Sequence, residues 1–386
     1  MSIPKEPAFD EAEYRRRLQR VQTSMAEKGL DALLLFSPHN VFYLSGMDSE
    51  NLFDYQCLLV LPDSDPVLII SHFEKACSEN SCWLESVRVY GPFEDPINAT
   101  IDSVREAKLQ SGSLGLERRS RGLSVDFYEK LRSGLDGATL SDGFGPVEES
   151  RLVKSEAEIA YMRRAAQLTD LGVNAGYEAM AQGVPDCEIG AAIVDAMYRD
   201  GGDTVCWGPI VAAGYRSGCA HSTFNGHRLD EGETVFLEVT GEVTRYTAPL
   251  MRTAILGEPT SEMRQVEDAV MTALEVILEK ARPGAIPSDV AGAARSALDP
   301  ILRDYVFHYN FGYPVGIGYP PSWIEELDYF IRDGNVRPLE AGMLFHLPMS
   351  IRKYGEHAVN LSHTILVGEE RTTPITNSPA RLHRVL

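Results

Sequence analysis

Long apolar runs are missing from this 386-residue chain. None approaches the roughly eighteen residues that a membrane-crossing helix requires, so no spanning segment is expected. Positive charge is scarce as well: 36 Lys and Arg face 56 Asp and Glu, for a net charge of -20. A surface of that sign repels nucleic acid and anionic membranes. The six cysteines, Cys57, Cys77, Cys82, Cys187, Cys206 and Cys219, include no C-x-x-C pair, and several lie in apolar segments. They read as reduced core thiols of a cytoplasmic protein rather than as a disulfide framework. The N-terminal stretch is polar and lacks the apolar segment of a signal peptide. No internal repeat is obvious.

What is present suits a packed globular protein. Hydrophobic residues make up 44% and charged residues 24%. The length favours two domains. Residues 10–30 place Tyr14, Leu18, Val21 and Met25 at helical spacing, and Gly29 ends the run. Short apolar strands follow at 31–37, 55–61, 66–71 and 114–117, with helical stretches at 98–110 and near 124–133. This alternation predicts a small α/β domain over residues 1–148. At residue 151 the composition changes. Ser155 and Glu158 form a capping-box pattern that starts a helix running to about Met180, and a second helix is expected over 186–200. Strands at 204–214, 233–239 and 244–256 come next, then helices at 260–281 and 287–303, then strands at 343–351 and 360–367. Helix pairs alternating with β-ribbons predict a second, α+β domain over 149–386.

Two residues stand out chemically. Glu238 interrupts the apolar run FLEV just before an expected tight turn at Thr240-Gly241. Burying a carboxylate there is unfavourable unless it is paired or used. It is either hydrogen-bonded to backbone or to Arg252, or it is a nucleophile or general base in a dry cleft. His221, in the loop GCAHSTF, is either structural or a proton-transfer group suited to neutral pH. The segment GYPVGIGYPPSW contributes Tyr313, Pro320, Pro321 and Trp323 to a rigid aromatic wall or an ordinary packed turn. His346, His357 and His363 lie close in sequence and read as histidines satisfied by hydrogen bonds.

The ribbon 235–253, with Arg252-Thr253 at its end, and the opening RLVKSEAEI resemble the creatinase/prolidase ("pita-bread") superfamily. The resemblance covers essentially the whole chain. It implies a creatinase/prolidase-like N-terminal domain and a pita-bread catalytic domain. The metallopeptidases of this superfamily bind two metal ions through two Asp, one His and two Glu. The matching positions here are Glu238, Pro249, about Val315, Leu347 and about Ser362, so one carboxylate of five remains and no metal is expected. Xaa-Pro peptidase activity is disfavoured accordingly. The glutamates of creatinase fall at about Met251 and Leu347 and are also absent. The chain is more similar to the ectoine hydrolase branch. That branch has Glu at the position of Glu238, then Gly and Arg-Tyr, a Pro-Leu segment before Arg-Thr, the GY-x-V-G-x-G-x-PP-x-W motif and residues like NLFDYQ. This chain departs from the branch at Asn360, Ser362 and His363, where acidic residues are usual, and at CAHS, where Pro-His is usual.

The resemblance implies a hydrolase of non-peptide C–N bonds in a small cyclic amidine, without cofactor. Glu238 and His221 are its expected catalytic residues. Phe53, Tyr55, Tyr246, Arg252, Tyr313 and Trp323 are its expected substrate-binding residues. It also implies a homodimer in which the stretch holding Asp48, Glu50, Phe53 and Tyr55 closes the neighbour's cleft. A metal-free hydrolase of another guanidino or amide compound and a non-catalytic binding homologue are the alternatives.

Overall fold

A computed structural model describes residues 3–325 and 327–385, which divide into two units at Arg151/Leu152. The first unit is built on six strands: β1 (Ala32–Leu35), β2 (Cys57–Val60), β3 (Val67–Ser71), β4 (Val87–Tyr90), β5 (Ser113–Leu116) and β6 (Thr139–Asp142). They lie in the order β4-β3-β2-β1-β5-β6, mixed parallel and antiparallel. Strands β1 and β2 are buried throughout, which explains their continuous apolar runs. The helix Glu11–Glu27 starts where the Asp10 side chain accepts the Glu13 N–H. Tyr55 lies inside this unit's core, bonded to Thr100, whereas Phe53 is 88% exposed. All six cysteines are free, but Cys187 is exposed rather than in the core.

The second unit opens with the helix Glu156–Glu178, and its capping box is formed: Ser155 and Glu158 exchange side-chain bonds with each other's backbone N–H. The helix Asp186–Arg199 follows. Strands β7 (Ile210–Ala213), β8 (Thr234–Val239), β9 (Glu242–Val243), β10 (Tyr246–Thr247) and β11 (Leu250–Leu256) form the ribbon. Helices Ser261–Lys280 and Pro287–Leu298 precede β12 (Tyr313–Tyr319), β13 (Ser322–Ile324), β14 (Leu344–His346), β15 (Met349–Lys353), β16 (His357–Leu361), β17 (Thr364–Val367), β18 (Thr372–Pro374) and β19 (His383–Val385). One sheet runs β19-β11-β8-β7, and another runs β18-β17-β14-β12-β10-β9 with β13 on β12. Strands β15 and β16 pair separately. Among the described residues, no helix is long and apolar enough to cross a membrane.

Several sequence expectations change, among them the strand over 360–367, which is two, β16 and β17, and that over 204–214, which is only Ile210–Ala213. The strand expected over 244–256 is two strands, broken at Ala248-Pro249, and that over 343–351 breaks at Leu347-Pro348. In both, a proline without an N–H interrupts the ladder. The tight turn expected at Thr240-Gly241 lies instead at Thr244-Arg245, both left-handed, with φ of 52° and 64°. Gly241 serves another purpose. A Cβ there would run into the Ala165 carbonyl, and its N–H donates to Thr169 Oγ1 at 2.7 Å, which clamps the ribbon onto the first helix.

Candidate active site

Alternation along β8 assigns its two faces. Val235, Leu237 and Val239 join an apolar cluster with the helix residues Leu168, Ile189 and Ile193. Phe236 points the other way and clusters with Ile210, Ala212 and Met251. Glu238 shares the Phe236 face and sits opposite Ile210 on one neighbour and Met251 on the other. This face floors a cavity of about 390 Å³. Its aromatic walls are Trp207, Tyr313, Trp323 and Phe330, and its polar groups include Glu238, His221, His308, Asn310, Ser350 and Arg352. All lie in the second unit.

Glu238 is 5% exposed, and no hydrogen bond to its carboxylate is found among the described residues. Burial pushes its pKa up to about 7, and the charge of Arg352 opposes only part of that shift. A carboxylate left without a partner inside a cavity is free to take one from a ligand. Arg352 donates to the Ser217 carbonyl at 3.0 Å and lies over the Phe236 ring at 5.1 Å. The rest of its guanidinium remains a donor fork at the cavity wall. His221 lies at the rim in a left-handed backbone conformation, φ 55°, with its ring 6.2 Å from that of Trp207. Non-glycine residues held in that region collect at functional sites.

Two expected substrate-binding residues of the second unit, Arg252 and Tyr246, lie away from the cavity. Arg252 is paired with Leu237, one residue out of step with Glu238, so it projects to the opposite face. There it is fully buried and donates to the carbonyls of Met251, Ser362 and Ser378. It does not pair with Glu238. Tyr246 is buried, donates to Glu158 Oε1 at 2.8 Å and stacks on Tyr161. Phe53 and Tyr55 belong to the first unit, and their expected place is over a neighbour's cleft rather than this one. Tyr313 and Trp323 do line it.

Arg352, His308 and Trp207 were missed in the sequence. Arg352 had a signal: in MSIRK, Ser350 and Arg352 alternate with Met349 and Ile351, the pattern of a strand with one polar face. His308 and Trp207 sit outside strands, where no periodicity marks them.

The positions that would hold metal ions do not fit them. Pro249 has no side-chain donor, and its carbonyl accepts from Thr364 Oγ1 at 2.7 Å. Ser362 Oγ accepts the Met251 N–H at 2.6 Å. Val315 is fully buried. Leu347 turns into the apolar core, and Pro348 lines the cavity in its place. His346 is hydrogen-bonded, as its reading in the sequence expects, with Nε2 2.7 Å from Ser362 Oγ. Among the described residues, no group of three or more His, Cys, Asp and Glu could hold a metal.

Known proteins give the same outline. The profile of metallopeptidase family M24 matches residues 160–369, and that of the creatinase/prolidase N-terminal domain matches 17–153. The chain is 29% identical to the ectoine hydrolase of Halomonas elongata, over 97% of this chain and 98% of that one. It is 23% identical to a Xaa-Pro dipeptidase of Pyrococcus horikoshii, over 95% and 98%. The dipeptidase PepE of Mycobacterium ulcerans superposes with a TM-score of 0.85 at 23% identity, covering 98% and 99%.

Proposed function

Because the chain belongs to metallopeptidase family M24 and has its pita-bread fold behind a creatinase/prolidase N-terminal domain, yet keeps one carboxylate where that family binds metals, we propose a metal-independent hydrolase of non-peptide C–N bonds. Its substrate is a small cyclic amidine of the ectoine type. The observation that carries this reading is Glu238, buried in the cavity floor without a hydrogen bond from the described residues. Without a metal to generate hydroxide, the protein must supply its own nucleophile. Glu238 attacks the amidinium carbon. One ring nitrogen leaves as an amine with a proton from His221. Water then hydrolyses the ester-like adduct, returns the carboxylate and leaves an amide. From ectoine, the product is an N-acetyl diaminobutyrate. The faces of Trp207 and Trp323, ring centroids 5.3 Å apart, suit a delocalised cation. Arg352 suits a carboxylate on the same substrate.

The test is turnover of chelator-treated protein on ectoine and 5-hydroxyectoine, with products identified by NMR. Ring opening at an undiminished rate is expected. Activity that appears only after a divalent metal is added would overturn the reading. The pH profile gives a second test. The Glu238 pKa of about 7 means that the acid limb of kcat/KM should fall tenfold per pH unit below that value. A flat profile from pH 5 to 8 would remove Glu238 as the nucleophile.

A homodimer is part of the same proposal. Phe53 is exposed and available to a second copy, whereas the buried, hydrogen-bonded Tyr55 is not.

A further inference from the structure

Beneath the cavity runs a chain of hydrogen bonds with fixed ends. The Trp323 indole Nε1–H lies 3.0 Å from the Tyr313 hydroxyl. That hydroxyl is 2.6 Å from His346 Nδ1, and His346 Nε2 is 2.7 Å from Ser362 Oγ. The Met251 N–H lies 2.6 Å from the same Ser362 oxygen. An indole N–H and a backbone N–H can only donate. With a neutral imidazole there are five hydrogens, one each on Trp323, Tyr313, His346, Ser362 and Met251, and only four links. One hydrogen must therefore leave the chain.

It can leave at either of two places. If His346 carries its proton on Nε2, Ser362 accepts from both sides, and its own hydrogen has no acceptor at a fully buried site. If the proton is on Nδ1, Ser362 donates to Nε2 and Nδ1–H donates to the Tyr313 oxygen. Tyr313 then accepts from both sides, and its hydrogen is the surplus one. Tyr313 lines the cavity, so that hydrogen has somewhere to go. An orphaned buried donor is the less favourable outcome.

We propose that His346 is held as the neutral Nδ1–H tautomer, and that in this form it turns the Tyr313 hydroxyl into the cavity as a hydrogen-bond donor to the bound molecule. His346 is a positioning residue, and Tyr313 is the group that touches substrate. Burial and the nearby Arg252 charge oppose an imidazolium at His346, and burial beside Glu238 keeps the phenol protonated. Resting on the hydrolase reading, the acceptor that Tyr313 fits is the oxygen added to the reacting carbon as the adduct is hydrolysed.

The tautomer can be read without any substrate. Long-range 1H–15N correlation spectra of the full chain, labelled with 15N-histidine, should contain an Nδ1–H ring that is absent from His346→Asn. That pattern should persist to pH 5.5. An Nε2–H pattern or a charged ring at His346 would overturn the proposal. Should the variant not fold, neutron diffraction of the unmodified protein decides the same point from the deuterium on Nδ1 and on the Tyr313 oxygen. Kinetics supply the second arm. Asparagine keeps a donor near the place of Nδ1, so His346→Asn should hold kcat within about fivefold, whereas His346→Leu should lower it on the order of 10²-fold with KM within about threefold. Equal losses in both variants would overturn the positioning role. Absence of turnover by the unmodified protein would sink the hydrolase reading, with the spectra still deciding the tautomer.

Discussion

Glu238→Gln is expected to lower kcat by roughly 10⁴-fold or more, because an amide cannot form the covalent adduct of the proposed mechanism. The same variant should gain stability at alkaline pH. In the folded protein the Glu238 pKa is raised to about 7 from an ordinary 4.5. Below pH 4.5 the carboxyl is protonated in both folded and unfolded chains and contributes no penalty. As the pH rises from 4.5 to 7, the unfolded chain ionises first, so stability falls; above 7 the penalty is constant at about 3 kcal/mol. Glutamine never ionises. At pH 8 the variant should be more stable by about 2 kcal/mol, once the cost of burying its amide is subtracted. Urea unfolding at pH 4.5 and pH 8 checks the sign. Full activity in the variant removes Glu238 from the chemistry, and a stability difference that does not depend on pH removes the buried-charge argument.

Arg252→Leu is the largest stability change expected. The Arg252 guanidinium holds the Met251, Ser362 and Ser378 carbonyls together deep in the second unit, and the backbone N–H of Ser378 is held in turn by Asp170 at 2.8 Å. Burial lowers the Arg252 pKa to about 10, so it remains charged at neutral pH. Leucine leaves three carbonyls without their donor, for a loss of about 3–5 kcal/mol, or roughly 10 °C in melting temperature. Arg252→Lys should recover only a minor part, since one ammonium cannot span the same acceptors. An unchanged melting temperature in Arg252→Leu would refute the structural role. KM measured on the folded fraction should be unaltered, which separates Arg252 from the cavity groups.

Much of this architecture was legible in the sequence because its signals are local. The Ser155/Glu158 pair announced its helix, and the apolar runs of β1 and β2 announced buried strands. Glu238 was visible because a carboxylate inside FLEV is out of place. The role of Arg252 depends on which face of β11 it takes, and that is set by register with β8. The bond from His346 to Tyr313 joins residues far apart in the chain, on two paired strands. No sequence spacing encodes it. The turn at Thr244-Arg245 escaped notice because neither residue favours a left-handed backbone.

Pro249 and Ser362 also bear on how this cavity can change. Each is integrated where it stands, one through its carbonyl and the other through its hydroxyl. A single acidic residue at either place would bury an uncompensated charge, with too few donors to retain a cation. Several simultaneous changes would be needed before an ion could repay that burial. Conversion of this cavity into a dinuclear metal site is therefore opposed at its first step, whereas the cavity walls can change singly without burying a new charge.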